Sequence, residues 1–206
     1  MFNSLKNYFN KKNLKDEKFS FLFDKHIEDE FVCFDCETTG LNPLKDDIIS
    51  IGAVIIKNNT IVSSKKFVRF IKPETKLQVD AIKVHHIREC DLINADNINK
   101  VIEEFLHFIG NRKLVGYYLE FDIAMINKYL KPKLGIKLPN KAYEVSAIYH
   151  DWKIEAIPQS NIDLRFDTIL KELRIPSLGK HDAYNDAIMT AMMFLKLKNQ
   201  PKVKIK

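Results

Sequence analysis

The stretch Phe31-Val-Cys-Phe-Asp-Cys-Glu-Thr-Thr-Gly40 decides how the rest of the chain is interpreted. Residues 31–36 are apolar on both faces, which is typical of a central strand. Side chains alternate along a strand, so Asp35 and Glu37 project from the same face at its end. Such close carboxylates repel, and a raised pKa or a bound cation relieves the repulsion. Oxygen ligands without Cys or His favour Mg²⁺ or Mn²⁺ over structural zinc. The alternative is a strand end whose acids simply face water.

Composition indicates a single globular domain. The chain has 206 residues, of which 46% are hydrophobic, and this length suits one well-buried core better than two. The net charge of +6 suits an anionic partner such as nucleic acid, although lysines near both ends, typical of solvated tails, contribute much of it.

The cysteines and the apolar runs indicate the compartment. Cys33, Cys36 and Cys90 are odd in number and lack disulfide-framework spacing, which fits a reducing cytoplasm. The first residues lack an apolar run of signal-peptide length, and no membrane-spanning run follows. We therefore expect a cytoplasmic protein without membrane contact.

Apolar periodicity and turn residues predict an α/β domain with a mixed five-stranded sheet covered by helices. The predicted strands are 31–36, 48–56, 60–70, 113–117 and 142–147, the second and third forming a hairpin. The predicted helices are a short one through Phe2 and Phe9, one from Asn97 to Gly110, and those at 119–130, 162–173 and 182–195. We divide the chain into an N-terminal helical extension that packs on the domain (1–30), the domain itself (31–197) and a basic tail (198–206).

Two further aspartates occupy helix faces that should be buried. Helical spacing aligns Asp122 with Ile126, and Asp186 with Met189. A buried unpaired carboxylate is unfavourable, so a cation near these acids would explain both. The alternative is a charge that favours the helix dipole, and that explanation is better for either residue alone.

The last helix also places a histidine. Alanines recur every fourth residue from Ala183, which allows close approach to the sheet and brings Asp186 near the strand-end acids. His181 precedes the predicted N-cap Asp182 and therefore lies on a loop at the mouth of this site. An imidazole titrates near neutrality and suits a base that takes a proton from water, although lone histidines are more often structural.

Three ordered motifs resemble those of the DEDDh (DnaQ-like) 3′-to-5′ exonucleases, a family that includes the proofreading epsilon subunit of bacterial DNA polymerase III. They are Phe-Asp-Cys-Glu-Thr-Thr-Gly-Leu at 34–41, Val-Gly-Tyr-Tyr-Leu-Glu-Phe-Asp at 115–122 and His-Asp-Ala-Tyr-Asn-Asp-Ala at 181–187. The resemblance implies a ribonuclease-H-like fold and hydrolysis of phosphodiesters. It also implies that two divalent metal ions, Mg²⁺ or Mn²⁺, are bound by four carboxylates, with His181 as general base. Those carboxylates are Asp35, Glu37, Asp122 and Asp186.

The resemblance also implies substrate contacts. The backbone around Thr38 and Thr39 and the side chain of Leu41 are expected to cradle the terminal nucleotide. Tyrosines replace the family's His-Asn pair before Phe-Asp, and Tyr118 either stacks on a base or, as we favour, fills the core. His85, in the segment that replaces the family's His-Gly-Ile, is a further candidate.

Three hypotheses follow. The leading one is an exonuclease that acts on single-stranded or frayed DNA with a free 3′ end, releases nucleoside 5′-monophosphates in proofreading or repair, and has a DNA polymerase as candidate partner. The second is an RNA 3′-end trimmer or an oligoribonuclease. The third is an inactive nucleic-acid-binding module, which intact catalytic positions make the least favoured.

Overall fold

A mixed five-stranded sheet forms the centre of the computed structural model, which describes residues 2–26, 28–156 and 161–200. In chain order the strands are β1 (Glu30–Thr38), β2 (Ile48–Lys57), β3 (Thr60–Phe70), β4 (Lys113–Gly116) and β5 (Ala142–Glu144). Across the sheet the order is β3-β2-β1-β4-β5. β2 is antiparallel to β1 and β3, whereas β4 is parallel to β1 and β5. The predicted mixed sheet and hairpin are confirmed.

Helices cover both faces of this sheet. They are α1 (Phe2–Lys12), α2 (Val79–His85), α3 (Ile98–Ile109), α4 (Leu119–Leu134), α5 (Val145–Ala156), α6 (Phe166–Glu172) and α7 (Ala183–Lys198). Two short 3₁₀ helices span Glu17–Phe23 and Glu89–Leu92. Among the described residues, no helix has the length and apolar character needed to cross a membrane.

β1 is buried on both faces, as its sequence predicts. Val32 and Phe34 face a core shared with α3 and α4, whereas Phe31 and Cys33 face a second core shared with α5, α6 and α7. Cys36 points away from Cys33, and both thiols are free. The two carboxylates at the end of β1 are therefore held by an element that packs on both sides.

The N-terminal segment contributes to the first of these cores. Phe19 and Leu22 are buried there, and the Lys15 N–H donates to the carbonyl of Leu134 at 3.0 Å. The division at residues 30 and 197 stays a prediction, and 201–206 of the predicted tail lie outside the described residues.

α4 corrects one predicted boundary. We expected it to stop before Pro132, but it continues to Leu134 and is closed by Gly135 at φ +74°. Inside a helix, a proline removes one backbone hydrogen bond and crowds the carbonyl four residues earlier, so this turn needs contacts from elsewhere. The Lys15 ammonium donates to the Pro132 carbonyl at 3.1 Å, so contacts with the N-terminal segment stabilise this turn.

In the region after β4, three more predicted boundaries are wrong and one helix is additional to those predicted. The strand expected at 142–147 ends at Glu144, and α5, which the periodicity did not predict, follows immediately. The helix expected at 162–173 begins only at Phe166, because Asp163 accepts the Arg165 N–H in a turn. The last helix runs to Lys198 and not to residue 195.

Candidate active site

Three carboxylates from two elements meet at the end of β1. Asp35, Glu37 and Asp186 each place one oxygen so that all three oxygens lie within 4.8 Å of one another. The first two project from the face of β1 that packs against α7, as the strand period predicts. Three hard oxygen donors at this spacing fit a divalent cation such as Mg²⁺ or Mn²⁺.

A glycine lets α7 approach the sheet closely enough to bring in its aspartate. A Cβ built on Gly52 of β2 would lie 2.2 Å from the Ala183 carbonyl carbon and from the Tyr184 nitrogen, which are backbone atoms of α7. Close approach therefore depends on the predicted small residues of α7 and also on the glycine that faces them on β2.

Burial and mutual repulsion disfavour negative charge on these acids. Burial raises the pKa of Asp35 well above its ordinary value, and the charges of Asp122 and Glu37 add to the effect. Burial, followed by the charges of Asp186 and Asp182, raises the pKa of Glu37 from 4.5 to about 7. Carboxylates that repel in this way gain most from a cation between them.

Asp186 itself carries an unsatisfied atom. Its Oδ2 accepts the His181 N–H at 3.0 Å, but its Oδ1 is buried and has no hydrogen-bond partner among the described residues. Burial raises the pKa of this carboxyl, and the contact with His181 partly offsets the increase. A buried orphan oxygen beside two other acids is an observation that fits a metal ligand.

Asp122 reaches the same place from the opposite layer. β1 continues to Thr38, well beyond Cys33, its last residue paired with β4. There the Cys36 N–H donates to Asp122 Oδ1 at 3.0 Å. Burial raises the pKa of Asp122, although the hydrogen bonds from Cys36 oppose the increase. Asp122 thus stands beside the trio with one oxygen engaged.

His181 lies on the loop before α7, as predicted. It is exposed and takes the left-handed conformation at φ 62°, which a non-glycine residue seldom adopts. Asp182 caps α7 by accepting the Asn185 N–H at 2.9 Å. The backbone at His181 is therefore held by its own N–H contact with Asp186 and by the helix cap that the next residue, Asp182, forms.

All five predicted catalytic residues line one cavity of about 650 Å³. Of the predicted substrate contacts, Leu41 and Tyr118 also line it, with exposed fractions of 85% and 73%. Tyr118 therefore does not fill the core. Tyr117 is partly buried and donates its hydroxyl to the Leu164 carbonyl at 2.9 Å.

The remaining substrate candidates, Thr38, Thr39 and His85, are not among the residues that line the cavity. Thr38 donates its hydroxyl to the Gly40 carbonyl at 2.7 Å, and the Thr39 hydroxyl accepts the Asp47 N–H at 2.9 Å. Both threonine side chains therefore hold their own loop. His85 is buried, and its Nδ1 accepts the Ile87 N–H at 3.0 Å. These contacts place Thr38 and Thr39 in support of the loop after β1, whereas the His85 contact with Ile87 lies within its own turn.

Sequence reasoning missed two basic side chains that line the same cavity, Arg165 and Lys180. Arg165 pairs with Asp163, and the Lys180 ammonium lies 2.7 Å from Asp167. Lys180 directly precedes His181, which was an available signal. Arg165 offers no such signal, because the apolar spacing predicts that it lies inside a helix.

Comparisons with known proteins show which families and sequences this chain resembles. The model of the RNase_T family, described as Exonuclease, matches residues 32–194. A PolC-type DNA polymerase III from Caldanaerobacter subterraneus subsp. tengcongensis is 34% identical over 175 residues, which are 83% of this chain. The match spans only 12% of that polymerase. The epsilon subunit of DNA polymerase III from Aquifex aeolicus is 28% identical over 178 residues, with 84% of this chain and 83% of the subunit covered.

A solved structure shows the same fold. The zinc-bound complex of E. coli exonuclease I with single-stranded DNA superposes with a TM-score of 0.71 at 17% sequence identity. The superposition covers 86% of this chain and 42% of that one. The sheet and its helices therefore have the ribonuclease-H-like exonuclease architecture that the motifs predicted.

Proposed function

The chain belongs to the RNase_T exonuclease family, and from that membership we propose that it removes nucleotides from the 3′ end of DNA. The proposed products are nucleoside 5′-monophosphates, and the proposed setting is proofreading or repair. The observation that carries the proposal is the trio of Asp35, Glu37 and Asp186 with oxygens within 4.8 Å of one another.

We assign two divalent metal ions, Mg²⁺ or Mn²⁺, to this trio together with Asp122. The raised pKa of Glu37, the orphan Oδ1 of Asp186 and the hard oxygen donors support the fit. When bound, such ions polarise a water molecule and neutralise charge on the phosphodiester.

The chain's own groups have separate proposed tasks. The imidazole of His181 accepts a proton from the attacking water, whose oxygen bonds to phosphorus while the bond to the 3′ oxygen breaks. The shortened strand keeps that oxygen, which takes up a proton from solvent and becomes its new 3′ hydroxyl. Lys180 and Arg165 also line the cavity, paired with Asp167 and Asp163, and their N–H groups suit contacts with the phosphates of the strand.

Exposed side chains at the cavity suit the terminal nucleotide. Leu41 provides an apolar contact, and the ring of Tyr118 provides a surface on which a base stacks without sequence preference. We propose that both hold a frayed or single-stranded end, with Thr38, Thr39 and His85 shaping the loop behind it.

The test is a time course on matched single-stranded DNA and RNA, each labelled at the 5′ end, with Mg²⁺ or Mn²⁺. We expect a ladder on DNA that EDTA stops reversibly and that Asp35→Asn abolishes. Asp80→Asn is the matched control, because Asp80 is exposed and pairs only with Lys83 among the described residues. A faster ladder on RNA would replace the proposal with RNA trimming. Absence of any ladder from folded protein would refute it and leave a binding module.

A DNA polymerase is the proposed partner, and the cytoplasm the proposed location. The support is that the relatives are named as DNA polymerase III proteins. Size-exclusion chromatography with the cell's replicative polymerase tests the partnership. We expect co-elution and faster removal of a mismatched than of a matched primer end, whereas separate elution would refute it.

A further inference from the structure

We propose that Glu144 is a positioning residue for this exonuclease site, holding Tyr118 and Asp122 in place from outside the cavity. The inference rests on the proposed function, because it concerns the same site. Glu144 itself does not line the cavity, whereas Tyr118 and Asp122 do. Its effect on catalysis must therefore pass through them.

The carboxylate of Glu144 connects the end of β5 to the start of α4. Its Oε2 accepts the Leu119 N–H at 2.8 Å, and its Oε1 accepts the Tyr118 N–H at 3.2 Å. Oε1 also accepts the N–H and the hydroxyl of Ser146, at 3.1 and 2.7 Å. One side chain thus fixes both the first amides of α4 and the first turn of α5.

α4 needs this external cap because its N-cap residue provides no side-chain cap and the turn before it is close-packed. Tyr118 occupies the N-cap position in the left-handed conformation, at φ 59° and ψ 28°, and provides no side-chain cap. The preceding turn is close-packed, since a Cβ on Gly116 would lie 2.7 Å from the Leu119 side chain. A carboxylate from another strand satisfies amides that a local cap cannot, and its charge suits the helix N-terminus.

Loss of this cap would affect the site through α4. Asp122 lies one turn after Tyr118, with one oxygen already committed to the Cys36 N–H. A shift at the start of α4 therefore moves the Tyr118 ring and displaces the carboxylate beside the trio. Small displacements matter for catalysis, because a misplacement of about 1 Å can reduce a rate by about a hundredfold.

An ordinary cap elsewhere in the fold provides the matched control. Asn97 caps α3 by accepting the Asn99 N–H at 2.8 Å, and α3 contributes no residue to the cavity. Asn97→Ala removes a helix cap without touching the site. It separates loss of stability from loss of positioning.

The experiment compares wild-type, Glu144→Ala, Glu144→Gln and Asn97→Ala proteins at a temperature at which circular dichroism shows all to be folded. We expect Glu144→Ala to lower kcat by about tenfold to a hundredfold and to raise the Mn²⁺ concentration needed for half-maximal thermal stabilisation. Glu144→Gln should be intermediate, since its oxygen accepts while its amide group cannot. Asn97→Ala should melt earlier but keep the wild-type kcat, KM and Mn²⁺ midpoint.

Unchanged kinetics and an unchanged Mn²⁺ midpoint in Glu144→Ala would overturn the inference, as would equal losses in Asn97→Ala. If Glu144→Ala does not fold, Glu144→Gln carries the same comparison. If the wild-type protein degrades neither DNA nor RNA, the proposed function fails. The Mn²⁺ concentration for half-maximal thermal stabilisation then tests the positioning role by itself. A shift confined to the Glu144 variants supports positioning, and a shift shared with Asn97→Ala refutes it.

Discussion

Replacing Glu37 with glutamine should stabilise the metal-free protein at alkaline pH while abolishing its activity. The pKa of Glu37 is raised from 4.5 to about 7, first by burial and then by the charges of Asp186 and Asp182. Because the folded state holds this proton more tightly than the unfolded state, the contribution to stability is fully present below pH 4.5. It is lost as the pH rises through about 7.

The size of the effect follows from the two pKa values. The difference between 4.5 and about 7, at about 1.4 kcal/mol per pH unit, gives about 3 kcal/mol less stability at pH 8 than at low pH. Glu37 is only 9% exposed, so solvent screening removes little of this. Glutamine carries no charge and avoids the loss. For a chain of this size the gap corresponds to about 6–12 °C in Tm.

The assay is thermal and urea unfolding in EDTA at pH 5, 6, 7 and 8. Wild-type stability should fall across this range by about 2.5 kcal/mol more than that of Glu37→Gln, because part of the contribution is already lost at pH 5. Glu120→Gln, at an exposed position of α4, is the control and should follow the wild type. Mn²⁺ should then restore wild-type stability at pH 8 and help Glu37→Gln much less. Parallel pH profiles in EDTA, or equal stabilisation of both proteins by Mn²⁺, would refute the reasoning.

Substitutions at three further positions test the scaffold. Gly52→Ala must move α7 away from β2, because the new Cβ would lie 2.2 Å from helix backbone; it should cost about 1–3 kcal/mol in urea unfolding and also lower activity. Asp47→Asn should cost about 2 kcal/mol at pH 7, because burial raises the pKa of Asp47 but hydrogen bonds from Lys128 and Thr75 hold it at about 2. That contribution exists above pH 3.8 and is lost as the pH falls through about 2, so wild type and variant should converge in acid. Asp122→Asn should be inactive yet keep an acceptor for the β1 amide, whereas Asp122→Ala should also be less stable than Asn by about 1–3 kcal/mol; equal unfolding midpoints would contradict that hydrogen bond.

The strongest predictions from sequence concern local patterns that tertiary packing reinforces. β1 is buried on both faces, its carboxylates share one face, and Asp182 caps α7, all as the residue spacing indicated. The same reasoning failed where a distant contact decides the outcome. Lys15 stabilises the turn that contains Pro132, and such a contact leaves no local signal in the sequence.

In the site, too, the sequence predicted local features but not those that depend on distant contacts. Periodicity identified the acids, but it could not show that Asp122 belongs to a different layer from Asp186. The exposure of Tyr118 was also hidden, because its left-handed backbone turns the ring outward at a position where the sequence resembles a core strand. Arg165 escaped notice for a related reason, since an Asp163 turn replaces the helix that the apolar spacing indicated.

The position of the acids on β1 follows from the way the sheet ends. β4 pairs with β1 only at residues 31–33, so the rest of β1 projects beyond it on that side. α4 begins soon after β4 and occupies the space, where Asp122 accepts a strand amide. α7 packs on the other face and brings Asp186 to the same strand end. Only a strand with helices on both faces can gather acids from both layers, and for that reason the site lies on the central strand and not at an edge of the sheet.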